Sequence, residues 1–191
     1  VTTTGSDADG DTISFSYTWK VNNQSIFDLG SVLPAERTQK GETWEVEVTP
    51  NDGSHDGDVI TLSIDIGNSA PSLSGASIDE SSPTESTILS CLAEGWMDAD
   101  NDPQTVSTEW FVNGSSVSTD STLNGDDFNK GDDIYCVLTP SDDSDSGAAV
   151  TSGSVTVGNS APSIQGIGLS STTPTRGDTL SANPTATDVD G

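Results

Sequence analysis

The chain is poor in positive charge, in histidine and cysteine, and in long apolar runs, and each shortage removes a class of function. Lys and Arg number 5 against 31 Asp and Glu, giving a formal net charge of -26 with a single His. Nucleic acid and anionic membrane surfaces are held by Lys and Arg that neutralise phosphate, so neither is an expected partner. His55 lies in the acidic stretch "NDGSHDGD" and reads as a solvated side chain. That leaves no ordinary Ser-His-Asp triad and no histidine-based metal centre, and the expectation is a protein without catalysis. No apolar run approaches bilayer length, and Val1 opens on Thr and Ser with no charged and hydrophobic leader, so neither membrane insertion nor a signal peptide is expected in this segment.

What the chain does have is acid gathered into loops. Asp sits with Gly, Asn, Ser and Pro, which is turn composition. Only 30% of residues are apolar, yet Val, Ile and Leu alternate regularly and four Trp are present, which argues for small packed cores within 191 residues.

The sequence repeats. "GNSAPS" at Gly67–Ser72 returns at Gly158–Ser163, and "DADGDTISFSYTWKVN" from Asp7 falls on "DADNDPQTVSTEWFVN" from Asp98, a period of about 91 residues. Trp19 thereby falls on Trp110, and the two are expected as core anchors. "DVDG" at Asp188 enters the same phase. The expected division is 1–67, the later two-thirds of one repeat; 68–158, a whole repeat; and 159–191, the first third of another. Such a window reads as a piece of a longer array, while a subunit whose ends are completed by neighbouring copies would look the same.

Within the whole repeat, Leu89, Cys91 and Ala93 alternate, as do Val106, Thr108, Trp110 and Val112, and Ile134, Cys136 and Leu138. Period two over runs of this length predicts strands. "VNG" at Val112–Gly114 and "LNG" at Leu123–Gly125 are turn signals, and Val150–Val157 reads as a closing strand. About seven short strands in about 90 residues predict an all-β chain of tandem sandwiches.

Cys91 in "LSCLA", Trp110, and "DDIYC" ending at Cys136 resemble the Cys, Trp, Tyr, Cys pattern of immunoglobulin-like domains. With the "NSAP" linkers and "DADGD" loops, the chain resembles the immunoglobulin-like, PKD-like and cadherin-like repeats of bacterial extracellular surface proteins. The resemblance places the two cysteines on opposite sheets and implies a Cys91–Cys136 disulfide; two free thiols in a reducing compartment are the alternative. It implies an extracellular or cell-surface location. The implied role is a stalk, adhesin spacer or filament element whose partners are neighbouring repeats, other copies in a fibre, and a surface glycan or protein ligand. An accessory sugar-binding or adhesive module is the competing role, with Trp44 or Trp96 as its stacking surface.

The acids admit two readings. Asp7, Asp9 and Asp11, and Asp98, Asp100 and Asp102, alternate on loops as calcium ligands do, although Thr12 and Thr18 in one copy and Pro103 in the other stand where an EF-hand needs Gly and Glu, and the one matching Glu109 does not rescue the motif. The sandwich arrangement would bring Asp52 and Asp142 to the same end, with Asp188 and Asp190 opening the next copy. Calcium is then the expected cofactor, within a domain or, as in cadherin-like junctions, between domains. The other reading is that Asp, Asn and Gly make Asx turns and the surplus charge keeps the surface soluble. Asn23 and Asn113 open glycosylation sequons.

Overall fold

A computed structural model describes residues 3–8 and 10–190. The described chain is all-β apart from one 3-10 turn at Ala35–Arg37, and every strand pair is antiparallel. It divides into two compact units, Val1–Ser69 and Ala70–Gly191.

The first unit is one sheet in the order β2-β1-β3-β4, from β1 (Ser14–Val21), β2 (Gln24–Ile26), β3 (Thr43–Asn51) and β4 (Ile60–Asp65). Asn22 and Asn23 take φ of 47° and 68°, left-handed values that suit a two-residue hairpin between β1 and β2. Alternation puts Phe15, Tyr17, Trp19 and Val21 on the face that carries Trp44, Val46 and Val48, with Leu29, Leu33 and Ile66 packed over them. Trp19 and Trp44 meet edge to face with centroids 6.2 Å apart, and the Trp19 indole N–H donates to the Gly30 carbonyl at 2.8 Å. On the opposite face the Lys20 ammonium lies 3.0 Å from Glu45 and 2.6 Å from Glu47.

The second unit opens with two sheets around one core. One sheet joins β5 (Gly75–Ile78), β6 (Leu89–Glu94) and β9 (Thr122–Leu123). The other joins β7 (Thr105–Val112), β8 (Ser115–Ser118), β10 (Asp133–Ser141), β11 (Val150–Thr151) and β12 (Val155–Thr156). Leu89 and Leu123 from the first sheet close on Trp110, Val112, Ile134 and Cys136 from the second, and Phe128 and Val157 fill the gaps. A disulfide joins Cys91 on β6 to Cys136 on β10 across this core, with Cα atoms 6.2 Å apart. Trp110 pairs with Cys136 as Trp19 pairs with Val46. Where the first unit sets Lys20 opposite Glu45 on the outer face, this one stacks Phe111 on Tyr135, centroids 4.8 Å apart.

The expected closing strand over Val150–Val157 is broken in two. Ser152 donates its N–H to the Cys136 carbonyl and accepts the Cys136 N–H on its hydroxyl at 3.0 Å, so it is buried as a side-chain bridge and the regular ladder stops there. The chain continues into an isolated pair, β13 (Ser163–Leu169) with β14 (Ala182–Thr187), whose side chains remain largely exposed.

Candidate functional site

The tightest gathering of acids among the described residues is Asp98, Asp100 and Asp102, between β6 and β7. Asp98 starts a turn by accepting the Asp100 N–H on Oδ1 at 2.8 Å. Asn101 then takes a left-handed φ of 58°, which bends the chain back and keeps Asp102 beside Asp98. One carboxylate oxygen from each of the three lies within 4.8 Å of the others, and all three residues are half-buried. At that separation the three oxygens could reach one metal ion. Asp98 Oδ2 is buried without a hydrogen-bond partner. A desolvated carboxylate oxygen is costly unless something positive meets it.

Asp142 and Asp52 each close a turn through one carboxylate oxygen. Asp142 Oδ1 accepts the N–H groups of Ser144 and Asp145, each at 2.6 Å, and Asp52 Oδ1 accepts those of Ser54 at 2.6 Å and His55 at 2.7 Å. The His55 N–H, followed by that of Ser54, holds the Asp52 carboxyl below the usual carboxylate range. Both are Asx turns at the same phase of the repeat. Asp142 lies outside the group of mutually close oxygens formed by Asp98, Asp100 and Asp102.

In the first unit residues of the two acidic loops line one cleft. Asp7, Asp52, Asp56 and the exposed His55 line one open cleft of about 180 Å³ against Ile13 and Pro50. Asp7 Oδ1 accepts the Asp11 N–H at 3.2 Å, while Asp9 lies outside the described residues.

Asp188 and Asp190 repeat the turn of Asp98 and Asp100, with the Asp190 N–H on Asp188 Oδ1 at 3.0 Å. The Asp190 side chain is buried, accepts the Ser160 N–H on Oδ2 at 2.6 Å and stands 4.0 Å from the Lys130 ammonium. Lys130 also donates to Asn159 Oδ1. The acidic loop thus pins the "GNSAP" linker that precedes it. Sequence reading did not single out Lys130 or Ser160, though both recur, as Lys40 and Ser69, about one period earlier.

Trp19 and Trp110 are buried core residues. Trp44 is buried as well, which removes it as a sugar-stacking surface, and Trp96 is half-buried. Both sequon asparagines are exposed, and the Asn113 amide donates to Asp132 at 2.7 Å inside its turn. No protein-family model matches the chain, and no curated protein matches it.

Proposed function

We propose that the chain is a non-catalytic structural segment of a large extracellular or cell-surface protein, built of tandem immunoglobulin-like sandwiches and stiffened by calcium at its acidic loops. The observation that carries this reading is the shared register of two successive repeats. Trp19 faces Val46 and Trp110 faces Cys136, Asn22 and Asn113 make the same hairpin turn, and Asp52 and Asp142 make the same acidic turn. Side chains that recur with the fold serve the fold, because an active site has no reason to return at every period.

The domain reading is 1–67, 68–158 and 159–191, with neighbouring repeats as the first partners. A disulfide in a small core fits an oxidising exterior. The three close carboxylates with the buried Asp98 oxygen support a calcium site. The accessory glycan-binding role now rests on Trp96, since Trp44 is in the core.

Stretching single molecules tests the mechanical reading. The disulfide withholds the 45 residues between its ends, so reduction lengthens one unfolding step by roughly 15 nm, at ~3.4 Å per extended residue, and leaves the other unchanged. Extension without a force peak contradicts a load-bearing role. Micromolar binding on a glycan array transfers support to the accessory module.

A further inference from the structure

β7 is paired along its whole length on one side only. Thr105–Val112 runs against β10 from Ser141 to Ile134. On the other side β8 reaches Trp110, Phe111 and Val112, and the register shifts between Trp110 and Phe111. A shift of this kind disrupts a ladder and ends pairing. The chain then crosses to the other sheet, where Thr122 and Leu123 pair with Ser90 and Leu89 of β6. Residues 105–109 keep an open edge beside a cleft of about 640 Å³, which Ser107, Glu109, Thr119, Ser121 and Thr139 help to line. That volume falls in the range of ligand clefts, about 300–1,000 Å³.

The direction of the backbone at this edge follows from Ser152. The Cys136 N–H donates to the Ser152 hydroxyl and the Cys136 carbonyl accepts the Ser152 N–H, so Cys136 directs neither group at its pair Trp110. Trp110 therefore turns its own N–H and C=O toward β8, and every second residue of an antiparallel strand does the same. Thr108 and Val106 turn theirs to the open edge. Such a row of ladder groups is a template for another chain, and neither Lys nor Pro, two usual guards of an edge, stands in 105–109.

We propose that the open edge of β7 takes an extended, basic peptide segment of another protein as an added strand. Main-chain bonds to Val106 and Thr108 give affinity in this mode, and alternate side chains give specificity. On the outer side of the sheet the added strand meets Ser107 and Glu109, and on the inner side Val106 and Thr108. Charge fixes the class of partner. Glu109 lies in the cleft, Asp120 stands between Thr119 and Ser121, and the chain carries -26 overall. A segment that alternates Lys or Arg with a small β-branched residue complements both sides. This partner is additional to the structural role and depends neither on calcium nor on load.

The ¹⁵N-labelled full chain is titrated at physiological salt, where charges beyond about 8 Å are screened. The probe is an acetylated, amidated peptide alternating lysine and threonine over about six residues, a usual strand length. The expected result is saturable amide shifts on Val106, Thr108, Thr119 and Ser121, with exchange of the Val106 and Thr108 amide protons slowed at least about tenfold. Methylating every second backbone nitrogen of the peptide keeps its charge. One of the two alternating patterns abolishes the shifts and the other keeps them, because only one set of N–H groups faces β7. Thr108→Pro, tolerated where an edge N–H faces outward, abolishes them as well. Shifts that spread over the acidic loops and survive both methylation patterns show charge attraction alone and overturn the proposal. So does an absence of shifts up to millimolar peptide. Neither outcome touches the mechanical reading, which the stretching experiment decides.

Discussion

Replacing both cysteines by the residues the chain itself uses at the same phase isolates what the disulfide contributes. Val46 stands where Cys136 does and Ala182 where Cys91 does. The variant Cys91→Ala with Cys136→Val therefore removes the cross-link while keeping an apolar side chain at the buried β10 position. The bridge closes 45 residues. Loop-closure entropy in the unfolded chain then gives about 4 kcal/mol at 25 °C in the chain-entropy model. At a urea m-value of ~1.5 kcal/mol/M, the midpoint of the second unit falls by about 2.7 M. Trp96 and Trp110 report that unit by fluorescence, and a companion variant with Trp19→Phe and Trp44→Phe silences the first unit's signal. The first unit has no disulfide and its transition stays in place. A loss below about 1 kcal/mol would show that the unfolded chain is already compact around these strands and that the entropy reasoning fails.

Three further outcomes follow from particular contacts. Trp110→Ala empties the centre of the second core and strands the Asp120 carbonyl that accepts its indole N–H at 3.1 Å, so chemical unfolding should show a loss of about 3–5 kcal/mol. Gly125→Ala places a Cβ against the Glu85 carbonyl, and overpacking of this kind costs about 1–3 kcal/mol, read as a lowered melting temperature. Asp52 has a lowered folded pKa from the His55 and Ser54 N–H groups. Its contribution is therefore present above the unfolded value of about 3.9 and disappears as pH falls through the lower folded value. Carboxyl NMR titration should place the Asp52 midpoint below that of a free carboxylate, and a midpoint at or above it contradicts the turn assignment.

The strands were legible because each buries one face, and alternation at Val106–Val112 and Ile134–Leu138 needs nothing beyond the pleat to be read. Phe128 was not legible. It enters the core from the loop "DDFNKGDD", where no period exists to mark it. The break at Ser152 was hidden for a related reason, since a hydroxyl that replaces a ladder bond leaves no hydrophobic signature. The acids were legible as loops, but their division of labour was not. Asp52 and Asp142 look like Asp98 in sequence, and only backbone direction separates an oxygen occupied by two N–H groups from one left buried without a partner.

Calcium titration followed by calorimetry tests the central claim, that the Asp98 loop is a cation-tuned structural element. At one hundred times its dissociation constant, calcium adds about 2.7 kcal/mol to the form that binds it. For a unit of this size that raises the melting temperature by roughly 10 °C or more. The rise should appear in the transition that reduction of the disulfide also shifts, and Asp98→Asn should remove most of it. An unchanged melting temperature up to ~10 mM calcium, or an equal rise in Asp98→Asn, would contradict the account and leave the acids as turns alone.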